Sequence, residues 1–418
     1  MTKIAVFHPG RQHSWQTVMA LQQQEALAWY ATALFYRPDR WPYRVEKLLP
    51  AALRRPVSRY FAKVACPEIE PRSVRIVGAY EWAERLAARA NRPGTAEILN
   101  RLGNKRFQRG IKRLLQREPA AAVWGYDTSC ADVFEFARGR GALCILDRSI
   151  GHPRALRDIL QRERALHPEF FAGDLGVPSQ VQIEEADREI ALADHIVVGS
   201  RFSAETVVAS GAAPAKVRIV PYGYEENLFG LSRPQRPELG RLPVRFLFVG
   251  TVSPRKGVHH LLEAFRRIPR EQAVLTVVGP PAIPQPVLAR YRPHVEFTGA
   301  LSRAEVARQF ERAHCFIFPS LFEGGGIVLY EAIASGLGVV HSAATADLAA
   351  ADGSNGLRLE KVDAGSIEAA VRQIVERPEI LCRWADSAWA MRSALGWQSY
   401  RRRIAQLLPT LLARSGAG

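Results

Sequence analysis

Two glutamates eight positions apart frame a run of glycines in CFIFPSLFEGGGIVLYEAIASGLGVVHS, residues 315–342. Glu323 stands just before Gly324-Gly325-Gly326, and Glu331 follows in an apolar-spaced segment. If the offset were all helix, it would span roughly 12 Å. That is too far for a coupled acid/base pair, but it suits two grips on one elongated ligand, such as the sugar and the ribose of a sugar nucleotide. The plainer alternative is a loop glutamate and a helix glutamate with no task, because glycine turns before helices are common.

The elements that must position these acids are legible. Cys315 to Pro319 has the length and composition of a buried parallel strand. Ile327 to Ser335 has helical spacing and stops at Gly336, and Leu337 to His341 suggests the next strand. A strand, glycine turn and helix in succession set backbone N–H groups and the positive end of a helix dipole at the carboxyl edge of a sheet. Folds that alternate strands and helices bind phosphates there.

Composition bounds the rest. A chain of 418 residues, 47% hydrophobic and 23% charged, has room for two or three globular domains. Its five cysteines (66, 130, 144, 315 and 382) are scattered and form no CxxC, which argues against a zinc site or a disulfide framework and fits a reducing compartment. MTKIAVFHPG enters a strand directly, without the apolar core of a signal peptide. No apolar run approaches the roughly 18–20 residues of a membrane span. These features predict a cytoplasmic protein. The net charge of +16 is clustered as well as high: 37–63 holds eight basic and two acidic residues among aromatics, and 101–117 holds seven basic and none acidic. Two basic amphipathic segments read as a surface for anionic lipid, peripheral on the inner face of the plasma membrane, or for an anionic acceptor. Solvated helix faces whose long stems cover the core are the bland alternative. No nucleic-acid motif accompanies the charge.

Strands are expected at 3–8, 28–36, 74–77, 120–126, 142–146, 194–200 and 217–220, with helices at 15–26, 131–138 and 184–193, the first capped by Ser14. After the strand at 142–146, Asp147-Arg148-Ser149-Ile150-Gly151-His152-Pro153 puts a polar cluster where active sites of such sheets gather. A Pro-, Gly- and charge-rich stretch from 225 to 243 is the best linker. A second series of alternating strands and helices opens at Val244 to Val249 and continues through the loop Gly250 to Gly257.

The pattern Phe-Pro-Ser-x-x-Glu-Gly-x-Gly at 318–326, a second Glu at 331, and Ala-x-Ala-x-Gly at 332–336 resemble the retaining glycosyltransferases of GT-B fold, the family 4-like group 1 glycosyl transferases. ADHIVVGS at 193–200 and VRIVPYG at 217–223 are similar to the close of that family's amino-terminal domain. The resemblance implies an α/β protein of GT-B architecture, two Rossmann-like domains facing each other across a deep cleft. It places an acceptor-side domain at 1–222, a linker at 223–243 and a nucleotide-sugar domain at 244–397, with a final helix at about 398–414 packing back on the first domain.

Function follows the same way. A hexose would move, with retention by front-face attack, from a nucleoside-diphosphate sugar to a glycan or lipid-linked saccharide in cell-surface polysaccharide or glycolipid assembly. Negative charge grows on the departing diphosphate while the sugar takes oxocarbenium character, so cations and backbone dipoles must meet that charge. Lys256 and Arg255 suit this, and Glu323 would bond sugar hydroxyls. The resemblance adds His152, touching the transferred sugar or its phosphate, to the catalytic set. Donor binding would involve Gly10, Gly250, Thr251, Gly324, Gly325, Gly326, Ile327, Val328 and Glu331, the last on the ribose. His13, Trp15 and Asp147 are acceptor-side candidates. Thr251 stands where the family commonly has arginine, and Arg255 could supply the missing charge. No DxD-like pair stands at a strand end, so no metal and no cofactor are expected. Two other readings stay open: an epimerase-like sugar-nucleotide enzyme of the same fold, and a degenerate carbohydrate-binding or scaffold protein.

Overall fold

The computed structural model describes residues 2–10, 12–37, 43–50, 54, 57, 61, 64–77, 93–171, 176–236, 238–346 and 353–413. Most of the basic stretch 37–63 lies outside them.

Thirteen described strands form two sheets. In chain order they are β1 (Ile4–Phe7), β2 (Leu27–Thr32), β3 (Val74–Ile76), β4 (Ala122–Tyr126), β5 (Leu143–Arg148), β6 (His195–Val198), β7 (Val217–Ile219), β8 (Val244–Val249), β9 (Ala273–Val278), β10 (Val295–Gly299), β11 (Cys315–Phe318), β12 (Gly338–Ser342) and β13 (Gly356–Leu359). The first sheet runs β3-β2-β1-β4-β5-β6-β7 and the second β10-β9-β8-β11-β12-β13. The registered pairings are parallel in both. Parallel neighbours need crossover helices that cover both faces, so their strands are apolar throughout rather than alternating. β1, β4, β6, β11 and β12 are buried at every residue.

By compactness the chain divides into two units: 1–148 with 184–197 and 401–418, and 149–183 with 198–400. The second has a continuous core in which Phe246, Phe248, Phe316 and Phe318 from β8 and β11 pack with Leu329, Tyr330 and Ile333 of the helix Ile327–Ala334. In the first, the basic helix Pro93–Arg117 buries Phe107, Ile111 and Leu115, one face at a four-residue interval.

Several local expectations shift. β5 runs on through Arg148, so Asp147 lies inside a strand. Ser14 is the first residue of the helix Ser14–Gln23, and its hydroxyl pairs with that of Tyr30 at 3.0 Å rather than capping. Helices also occupy Pro153–Leu166 and Ile380–Met391, segments to which the apolar pattern assigned no element. The first carries a short apolar stripe, Leu156, Ile159 and Leu160, of which Leu160 alone is fully buried.

Candidate functional site

The loop Gly250–Gly257 leaves the end of β8, and the turn Pro319–Gly326 leaves the end of the adjacent β11. Two glycines let these backbones meet. A Cβ on Gly257 would lie 2.0 Å from the carbonyl oxygen of Pro319, and Gly257 sits at φ 66°. A Cβ on Gly279, at the end of β9, would lie 1.9 Å from the oxygen of Gly250. The Leu321 N–H donates to the Arg255 carbonyl at 2.9 Å, closing the junction.

Glu323 is the hub of this junction. Its carboxylate accepts from Ser320 Oγ at 2.7 Å and from Arg255 Nη1 at 3.2 Å, and it pairs with Lys256 Nζ. Arg255 also donates to the Phe322 carbonyl at 2.7 Å, and Lys256 lies over the Phe318 ring at 4.8 Å. Burial pushes the Glu323 carboxyl up, but the charges of Lys256 and Arg255 outweigh it and hold it below the usual carboxylate range. Burial lowers the Lys256 ammonium despite the attraction of Glu323. A carboxylate and two cations thus share one small region, and a phosphate could draw the cations from the acid. Thr251 is exposed and Gly250 half-buried beside this cluster.

The three glycines follow. Gly324 passes so close to the loop after β5 that a Cβ would stand 1.8 Å from the Ser149 oxygen. Gly325 packs on Tyr222, and Gly326, at φ 64°, occupies the N-cap of the helix Ile327–Ala334. Ser203 Oγ donates to the Gly324 carbonyl at 3.0 Å, pinning the turn. Ile327 and Val328 are the half-buried first residues of that helix.

Glu331 lies one helical turn further on and is buried. Arg303 grips it bidentately, Nη2 to Oε1 at 2.6 Å and Nη1 to Oε2 at 3.2 Å. Burial raises the Glu331 carboxyl, and Arg303 opposes that rise. Sequence reading missed Arg303. The signal was a cation beside the capping serine Ser302, whose capping box with Glu305 fixes the helix start. A ribose at Glu331 would have to share the acid with this arginine or displace it.

His152 is fully buried and caps the helix Pro153–Leu166, its Nδ1 accepting from the Arg154 N–H at 3.2 Å and its own N–H donating to Thr206 Oγ1 at 2.9 Å. The adjacent Gly151 leaves room for no side chain beside the Phe322 ring. His152, Arg255, Lys256, Glu323 and the glycine turn therefore belong to one compact unit.

The remaining candidates lie in the other unit. His13 Nε2 meets Asp147 Oδ1 at 2.9 Å, and Trp124 Nε1 donates to Asp147 Oδ2 at 3.1 Å, with the acid wholly buried. His13 also stands edge-on to Tyr126, at 5.2 Å between centroids. Trp15 is buried against Phe35, and the Gly10 carbonyl accepts from Thr32 Oγ1 at 3.2 Å. Trp124 and Tyr126 were read only as strand residues.

Residues 243–377 match the family described as glycosyl transferases group 1. The chain carries a group 1 glycosyltransferase domain. It is 26% identical over 232 residues to the MMP alpha-(1->4)-mannosyltransferase of Mycolicibacterium hassiacum, covering 53% of this chain and 55% of that one. It is 31% identical over 272 residues to the D-inositol 3-phosphate glycosyltransferase of Geodermatophilus obscurus, covering 58% and 57%. The chain thus spans about half the length of the curated relatives it matches. Among solved structures it superposes on sucrose-phosphate synthase from Thermosynechococcus elongatus with a TM-score of 0.66 at 16% identity, over 98% of this chain and 99% of that one. Anabaena HepE in complex with UDP-glucose gives 0.61 at 13%, over 98% and 100%. At such identities the likeness establishes the fold, two Rossmann-like parallel-sheet units of the GT-B class.

Proposed function

We propose that this group 1 glycosyltransferase moves a hexose, with retention, from a nucleoside-diphosphate sugar to a glycan or lipid-linked saccharide. The observation that carries the reading is the convergence of Arg255, Lys256, Ser320 and Glu323 beside three glycines, two of which (Gly324 and Gly325) leave no room for a side chain while Gly326 sits at φ 64°.

In the proposed step the anomeric carbon–oxygen bond to the diphosphate breaks and its electron pair leaves with the phosphate. The acceptor oxygen bonds the same carbon from the same face and passes its proton to the departing phosphate oxygen. Lys256 and Arg255, with the N–H groups after Gly326, offset the charge that builds there, worth several kcal/mol in a site that excludes water. Glu323 and His152 would bond the sugar, and Glu331 the ribose. The cations perform the task a metal ion would otherwise serve, so the transfer is proposed as metal-independent. A relative of similar fold is seen with UDP-glucose, which supports a nucleotide sugar as donor.

The test is thermal melting of the pure protein with UDP, GDP, ADP and their sugars, beside Glu331→Ala. Selective stabilisation by one nucleotide, abolished in the variant, is expected and names the base. Stabilisation by none of them overturns the donor assignment. It would favour the degenerate, carbohydrate-binding reading, which the threonine at 251 keeps in view.

A further inference from the structure

Directly after the loop that carries Arg255 and Lys256, four side chains converge that the transfer chemistry does not use. His259 and His260 are the second and third residues of the helix Val258–Arg266. Glu163 is in the last turn of the helix Pro153–Leu166, and His167 is its C-cap. One donor atom from each lies within 4.8 Å of every other. Oε2 of Glu163 is 2.7 Å from His259 Nε2 and 2.9 Å from His260 Nε2.

This arrangement is not what packing alone would produce. Neighbouring residues on a helix do not face each other, yet the rings of His259 and His260 lie 3.9 Å apart and turn to the same carboxylate oxygen. His167 closes a third side, its ring 5.2 and 5.1 Å from theirs. Both helix histidines are buried, and His259 Nδ1 has no hydrogen-bond partner among the described residues. As a hydrogen-bond network among the described residues, one oxygen serves two imidazoles and the third has none of its own.

We propose that Glu163, His167, His259 and His260 form a closed binding site for one zinc ion. Three imidazoles and one carboxylate suit zinc rather than magnesium or calcium, which prefer oxygen ligands throughout. Bonds of about 2.0–2.2 Å in a tetrahedron place ligand atoms roughly 3.3–3.5 Å apart, within the spread from 2.7 Å upward found here. With four protein ligands the ion has no open position, so its role is structural. It ties the helix that starts at His152 to the helix that starts beyond Lys256. The scattered cysteines spoke against zinc only because the ligands are histidines, two of them nearly a hundred positions from Glu163.

The test uses the full chain, stripped with a chelator, desalted and titrated with zinc chloride. One equivalent retained on desalting, with a rise in Tm, is expected. His167→Ala, at a half-buried position outside the helices, should bind zinc at least about tenfold more weakly with unchanged circular dichroism, and Glu163→Gln likewise. The two variants together cover the case in which one fails to fold. No stoichiometric zinc in the wild type, or zinc held equally well by both variants, overturns the site and leaves a hydrogen-bonded cluster only.

Discussion

Glu323 holds two cations and a hydroxyl, so each partner can be removed separately. Lys256→Ala takes away one of the two cations proposed to meet the departing phosphate while Arg255 still neutralises the acid. We expect kcat/KM to fall about 10²–10³-fold, the usual cost of losing one preorganised donor, with Tm little changed; steady-state kinetics on the sugar nucleotide picked out by melting would show it. His314 gives a pH signature. Burial, then Arg245 and Arg236, push its imidazole down to about 4 from an ordinary 6.5. As pH falls through that interval the unfolded chain takes up a proton that the folded one refuses, so the contribution to stability is whole above 6.5 and lost toward 4. His314→Gln should flatten the Tm profile across that window. An unchanged slope would mean that the ring titrates normally.

At the scale of elements, the glycine turn is fixed by contact. Gly324→Ala forces a Cβ to within 1.8 Å of the Ser149 oxygen, whereas at Gly139 the nearest atom is 3.6 Å away. Gly324→Ala should cost about 1–3 kcal/mol or more and Gly139→Ala nearly nothing, a contrast that denaturant melts would read directly. The elements legible in the sequence were those whose physics is local. β8, β11 and the helix Ile327–Ala334 came through as apolar runs, the first and last of them closed by glycine. The helix Pro153–Leu166 did not: Leu156, Ile159 and Leu160 fall at helical spacing, but the stripe is short and the rest of the segment is dominated by charge. The partners of the candidate acids were hidden for another reason. Arg303 is 28 positions from Glu331 and Asp147 is 134 from His13, so only the fold joins them.

For the whole molecule, the charge of +16 has a described focus. Arg37, Arg72, Arg75, Arg113 and Arg117 line a cavity of about 640 Å³ between β3 and the helix Pro93–Arg117. Arg75 is held by Glu118 at 2.7 Å, and we propose that the guanidinium groups around it would meet an anionic headgroup or a phosphorylated acceptor. No helix among the described residues is long and apolar enough to cross a membrane. Attachment through this face would draw on its guanidinium charge. We expect cosedimentation with anionic vesicles but not neutral ones, lost as salt rises and weakened in an Arg113→Glu/Arg117→Glu variant. Equal binding to neutral vesicles would remove the basic face from the account.

The cap at His152 settles which proton the ring carries. Because Nδ1 accepts the Arg154 N–H, it has no hydrogen of its own, and the neutral imidazole must be the Nε2–H tautomer. Toward anything bound at Nε2 the ring is a donor and cannot serve as a base. A sugar oxygen or a phosphate oxygen is the partner such a ring selects, and a hydroxyl proton is one it cannot take.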